Sequence, residues 1–300
     1  MSNSGRSVGL SLVGNSLAGM AGTASALVPL DATPAVVGFL RLSIGAATLI
    51  VLAPAFGARL QDLPRLVMRP GVWVMGLSAG TYQALFFAAV ERSGVAAAAL
   101  VTVGCIPAAA GIVGWIVFRE RPSWVWFVAT TIAIAGLTLR SASDLHTADA
   151  SGLWLALAAG SGIGAYLNAA KVEIRRGENA LLLPGTAYLL GSLCLLPVIR
   201  TDLASVRWTP TSVGVALFLG VITMGLANAF QILGLHGIAP GVAATMMLAD
   251  PVTATTLGVL TLHEALTPAA AGGLGLVVVG LLMQSLSPGG EQQTRGRHRT

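Results

Sequence analysis

An internal repeat constrains this chain more than any other feature. Pro107 and Glu120 recur as Pro251 and Glu264 at one interval (251 − 107 = 264 − 120 = 144), and Gly136 recurs as Gly280. The stretches read Pro107-AAAGIVGWIVFR-Glu120 and Pro251-VTATTLGVLTLH-Glu264, each followed by an apolar run that carries the glycine. The chain is 55% hydrophobic and 10% charged, with a mean hydropathy of +0.80. Soluble domains carry about a quarter charged residues. A repeat in so apolar a chain predicts a duplicated membrane unit.

Charges cluster in short segments between long apolar runs, the pattern of transmembrane helices. Ten spans are expected, at roughly 8–28, 34–55, 71–90, 95–118, 123–140, 151–171, 180–199, 211–234, 240–262 and 268–286. Each is near the ~20 residues a bilayer core requires. The 37 glycines and 14 prolines suit close-packed and broken membrane helices. No cleavable leader is expected, because the first apolar run follows only Arg6. Residues 288–300 read as a disordered cytoplasmic tail.

Lys and Arg in the loops set the orientation. With the N-terminus inside, the inner segments hold Arg6, Arg59, Arg65, Arg69, Arg119, Arg121, Lys171, Arg175, Arg176, Arg295, Arg297 and Arg299. The outer loops hold Arg92, Arg140, Arg200 and Arg207. Both termini are therefore expected in the cytoplasm and the chain in the inner (plasma) membrane. The formal charge of +5 reports topology and gives no reason to expect a nucleic-acid partner. Ten spans in two copies make five per copy. An odd number inverts the second copy, as in secondary transporters whose halves rock about a midplane site. The expected fold is thus all-α and integral to the membrane: ten transmembrane helices in two inverted-topology five-helix repeats, residues 1–140 and 141–287.

The Pro-x12-Glu pattern with a glycine-bearing last span, present in each half, resembles the EamA-type drug/metabolite transporter superfamily. The segment Phe39-Leu40-Arg41-Leu42-Ser43-Ile44-Gly45-Ala46 is similar to the family's second-span pattern. The second half departs from it, with Gly185 in register with Arg41. The resemblance covers about residues 8–286. It implies an exporter of small metabolites whose first, third, fourth, sixth, eighth and ninth spans surround the cavity, the fifth and tenth being packing elements. It also implies amino acids as substrates, aromatic or large neutral ones first, as in bacterial aromatic amino-acid exporters.

Pro107 and Pro251 lie mid-span, where proline removes a helix hydrogen bond and bends the backbone; they read as hinges or as bundle-shaping bends. Glu120 and Glu264 fall about 20 Å along the helix from their prolines, at span ends, where they read as caps or pairing partners. A charge inside a span is costly unless paired or hydrated. Arg41 reads either as donor to a substrate carboxylate or as partner of loop carbonyls or Asp31. Asp250 could accept a substrate amine, carry a coupling proton, or bond backbone groups freed by Pro251.

Polar and aromatic residues on cavity-type spans complete the substrate-binding candidates: Asn15, Tyr82, Gln83, Thr102, Tyr166, Asn168, Asn228 and Gln231. For each one, interhelical packing is the competing reading. Asn228 and Gln231, three apart, share a helix face. Trp73, Trp115, Trp124, Trp126 and Trp208 sit near span ends and read mostly as interface anchors. Gly160-SGI-Gly164 reads as a small-residue packing seam.

No phosphate-binding loop, HExxH or paired-cysteine metal pattern occurs, so no ATP, cofactor or metal site is expected. The histidines all fall in loops, span ends or the tail. Three readings remain: a secondary exporter of amino acids, a broad drug or cation exporter, and, with no catalytic constellation to support it, a membrane enzyme. The partners expected are a small-molecule substrate and the lipid bilayer.

Overall fold

Inside hydrocarbon an apolar segment satisfies its backbone polar groups only in a helix or a closed barrel. Every regular element among the described residues is helical. The computed structural model describes residues 3–27, 32–119, 122–145, 149–206, 208–262 and 268–286. Glu120, Glu264, Asp31, His263 and the tail from residue 288 lie outside them, so the roles expected of these residues are not addressed by the structure.

The first half comprises α1 (Asn3–Leu27), α2 (Pro34–Leu52), a short α3 (Leu63–Val67), α4 (Pro70–Ser93), α5 (Val95–Phe118) and α6 (Trp124–Leu145). The second comprises α7 (Ala150–Arg175), α8 (Leu182–Ser205), α9 (Pro210–Leu217), a π-helical stretch Phe218–Leu226, α10 (Ala227–Leu235), α11 (Pro240–Met246), α12 (Ala249–Leu262) and α13 (Pro268–Leu286). Prolines 34, 70, 210, 240 and 268 open their helices at the first turn, where the missing N–H costs nothing. Asp149 caps α7 by accepting from the Ser151 amide.

Among the described residues, seven stretches are long and apolar enough to cross a membrane: Pro34–Phe56, Pro70–Ser93, Ala97–Phe118, Ala150–Arg175, Pro210–Leu235, Pro240–Thr261 and Pro268–Leu286. Trp124–Leu139 and Leu182–Pro197 are shorter apolar helices. The chain is therefore an all-helical, multi-pass membrane protein.

Packing pairs the two halves throughout. α4 lies against α7 and α8, and α5 against α7; α1 lies against α10 and α12, and α2 against the π stretch and α8. α6 and α13 pack chiefly on each other, with α6 also touching α5 and α11, and α13 touching α11 and α12. Their seam explains the repeated glycines. A Cβ on Gly136 would run into the Gly273 carbonyl and Leu276, and one on Gly280 into the Ala129 carbonyl and Ala133. The 144-residue offset carries position 129 onto 273, so the two contacts are the same contact seen from opposite sides.

The prolines behave differently from one another. α5 runs unbroken through Pro107. One lost hydrogen bond does not interrupt a helix clamped along its length, and α5 lies tightly on α7, where Gly160 meets the Thr102 carbonyl and Gly164 meets Ala109. The ninth span does break, at Met247–Leu248 between α11 and α12. Pro251 cannot donate to the Met247 carbonyl, which instead accepts from the Asp250 amide. The interface-anchor reading is corrected for Trp126. It is buried, its ring against Gly111 and Gly241, whereas Trp73, Trp115, Trp124 and Trp208 are exposed, as interface anchors would be.

Candidate functional site

A cavity of about 450 Å³ lies between the halves. From the first half it is lined by Gly19 and Gly22 of α1, Arg41 of α2, Tyr82, Gln83 and Phe86 of α4, and Val103 and Ile106 of α5. The second half contributes Ile163 and Tyr166 of α7, Tyr188 of α8, Met224, Asn228 and Gln231 around α10, and Met247, Asp250 and Pro251 at the α11–α12 break. The walls are mostly apolar, with a few convergent polar groups, as in small-molecule sites generally. Arg41 and Asp250 are the only formally charged residues in this lining.

Neither charge has a side-chain hydrogen bond or an ion pair within 4.0 Å among the described residues. The Arg41 Nε is buried and without an acceptor. Tyr82 lines the same cavity as both charges.

One wall is organised by a chain of hydrogen bonds. The Tyr166 hydroxyl donates to Asn228 Oδ1 at 3.2 Å, Asn228 Nδ2 to Gln231 Oε1 at 3.4 Å, and Gln231 Nε2 to Asn15 Oδ1 at 2.7 Å. Asn15 Nδ2 closes the chain on the Ser11 carbonyl at 2.7 Å. That last acceptor has no hydrogen to give, so each amide upstream is held in one orientation. The chain joins α1 to α10 and α7, and hence one half to the other. Tyr188 stacks on Tyr166 with ring centroids 6.1 Å apart.

One turn beyond Leu167, α7 leaves the cavity and carries the buried Lys171. Its Nζ donates to the carbonyls of Leu235, His236 and Ile238, the end of α10 and the turn that follows. Nearby, the buried Glu173 accepts from Arg176 at 2.8 Å. The buried Glu178 accepts from Arg65, within α3, and from Arg69, immediately before α4. Both halves are thus tied together just past the cavity.

The structure brings Tyr82, Gln83, Tyr166, Asn228, Gln231, Arg41, Asp250 and Pro251 to this cavity. Asn15, Thr102, Asn168 and Pro107 are not in its lining. Asn15 supports Gln231 from behind. Thr102 Oγ1 donates to the Ala156 carbonyl, and Asn168 Nδ2 to those of Ala110 and Gly164, which are interhelical and helix-backbone bonds inside the α5–α7 seam. Arg41 and Tyr188 bring the second and seventh spans into the lining, beyond the six spans implied by the resemblance. Tyr188, Met224 and Met247 were missed from the sequence. The π stretch next to Met224 has no signal in the residue pattern, but the chain has only three tyrosines, which would have justified scrutiny of Tyr188.

A threonine/homoserine exporter of Escherichia coli (strain K12), RhtA, is 25% identical over 276 residues, 91% of this chain and 88% of that protein. An uncharacterized transporter of Bacillus subtilis (strain 168), YwfM, is 31% identical over 286 residues, 93% of this chain and 94% of its own. A protein of known crystal structure, 20% identical, superposes with a TM-score of 0.78 over 93% of this chain and 97% of that one, a likeness of fold. Residues 6–142 and 150–286 each match the EamA-like transporter family, and the chain belongs to that family.

Proposed function

We propose that this transporter is a secondary exporter of amino acids, aromatic or large neutral ones first, and of related small metabolites, working by alternating access across the plasma membrane. The observation that carries the reading is the cavity shared by both halves, apolar over most of its wall and holding one cation and one anion. Ten spans in two inverted five-span repeats, with both termini cytoplasmic, complete the proposal. The packing supports it: exchanging each span with the one five places along maps the α4–α7 contact onto α1–α10, and α4–α8 onto α2 with the π stretch. The contacts of α6 with α13 and of α2 with α8 map onto themselves. The printed name of the E. coli relative supports amino acids as the class. A broad cation exporter is the weaker reading, because Arg41 in the same cavity repels a monopolar cation.

Substrate sits near the bilayer midplane against Tyr82, Tyr166, Asn228 and Gln231, beside the α11–α12 break. Pro251 is the hinge of this arrangement, with Pro107 bending its counterpart. Transport is facilitative or proton-linked, with Asp250 the intramembrane proton carrier in the second case. The test is flux of labelled amino acids into proteoliposomes holding the purified protein. Alanine at Tyr82, Asn228 or Gln231 should lower flux or shift substrate preference while folded protein is retained. Parental rates for every substrate in all three variants would place the site elsewhere.

A further inference from the structure

We infer that Arg41 and Asp250 are the two poles of a zwitterion site, the guanidinium taking a substrate α-carboxylate and the Asp250 carboxylate taking its α-ammonium. The inference rests on the amino-acid reading above and specifies which part of the molecule is recognised.

The argument begins from cost. An ionised side chain among membrane helices is normally paired with another charge or with backbone. Lys171, Glu173 and Glu178 follow that rule, each with its partners in hand. Arg41 and Asp250 break it in the same place. They line one cavity, have no bonded partner among the described residues, and stop short of pairing with each other. Two unpaired charges of opposite sign leave the cavity neutral as a whole but polar from end to end. A monopolar amine satisfies Asp250 and leaves Arg41 uncompensated; a monopolar acid does the reverse. A ligand with both charges on substituents of one carbon, as in an α-amino acid, satisfies both, with two charge-assisted bonds of about 2.8 Å each.

The depths agree. Arg41 is seven residues past the start of α2, about 10 Å into the bilayer core at 1.5 Å per residue. Asp250 is ten residues past the start of α11, about 15 Å in from the opposite face in the inverted arrangement. In a core ~30 Å thick these depths differ by only about 5 Å. The guanidinium offers a fork of donors that fits a carboxylate from two sides. Beyond the poles, Phe86, Ile106, Ile163 and Met224 supply an apolar wall for the side chain. No third charge in the lining meets an ionised side chain, so neutral amino acids are preferred over acidic and basic ones.

The experiment uses the full chain in proteoliposomes, labelled phenylalanine as probe, and phenylethylamine and 3-phenylpropionate as competitors that keep one pole each. In the parent, neither competitor should block phenylalanine at a tenfold excess. Arg41→Gln should raise the phenylalanine KM at least about tenfold, the loss expected of one charge-assisted bond, and should make phenylethylamine an effective competitor. Asp250→Asn should do the same for 3-phenylpropionate. Arg41→Lys and Asp250→Glu, which keep the charge, should retain the parental competition pattern. If phenylalanine moves in the parent but both neutral variants keep its KM and competition pattern, the zwitterion site is overturned and the exporter reading stands. Loss of flux in the neutral variants, with the charge-keeping variants failing equally and no competitor gained, assigns both residues a structural role and also overturns the site. Parental flux no greater than that of empty liposomes, for phenylalanine and every other amino acid offered, overturns both readings together.

Discussion

Replacing Lys171 by Met removes one charge and three hydrogen bonds while keeping the length of the side chain. The last carbonyls of a helix have no partner within it, and here Lys171 Nζ serves Leu235 together with His236 at 3.0 Å and Ile238 at 2.8 Å. An ammonium has three donors, and all three are used. The side chain is only 6% exposed, so water does not replace it. Each bond to a charged donor is worth about 1.5–3 kcal/mol, but the three do not add, because the variant also recovers the cost of burying an ammonium. Removing one partner of a buried ionic contact costs about 3–5 kcal/mol, which is the expected loss. At about 2–4 °C per kcal/mol for chains approaching this size, the apparent Tm should fall by about 6 °C or more. The assay is thermal unfolding of detergent-purified protein, with Arg59→Met as control. Arg59 is exposed, so its variant should stay within about 0.5 kcal/mol of the parent. Lys171→Arg, which keeps donors and charge, should fall between. A Lys171→Met protein as stable as the control would refute the claim that this ammonium ties α7 to the end of α10.

Gly136→Val should cost about 1–3 kcal/mol by forcing α6 off α13, whereas Gly272→Ala, whose new methyl meets only the end of Leu139 at an ordinary 3.8 Å, should be near neutral in the same unfolding assay. Asp250→Asn should abolish any proton dependence of flux while the protein stays folded; proton-coupled flux persisting in that variant would remove Asp250 from coupling. Single cysteines placed in the tail beyond Pro288 should react with a membrane-impermeant thiol reagent only after the cells are permeabilised. Reaction in intact cells would reverse the proposed topology.

Much of the architecture was legible because membrane helices announce themselves one at a time. Val95–Phe118 and Pro268–Leu286 begin and end where the apolar runs do, and the recurrence of Gly136 at Gly280 marked a contact before there was a structure to hold it. Contacts between distant residues were less legible. Arg65 and Arg69 read only as inner-loop charges, and nothing in the sequence spacing ties them to the buried Glu178. Thr102 and Asn168 look like cavity residues by type and span. Their placement depends on helix rotation, which a composition that is apolar on every face does not set, so packing claimed them.

The proline repeat shows most clearly what duplication does and does not carry over. Pro107 and Pro251 occupy equivalent positions, but only the second lies beside a break, and among the described residues only the second half contains a π stretch. The same lost hydrogen bond has two outcomes because the neighbours differ. α5 is clamped along α7 by close glycine contacts, while the residues before Pro251 face the cavity at Met247 and Asp250. A freed carbonyl against a packed helix is held in line; one beside a cavity has room to turn, and that of Met247 takes the Asp250 amide instead. The two halves are therefore unequal where substrate is proposed to bind. In the cavity lining, the first half supplies the only cation and the second the only anion together with the broken backbone. If the halves rock against each other, these two poles move relative to one another. A zwitterion bridging them resists that separation until one bond breaks, so the pole released first determines the face at which substrate leaves.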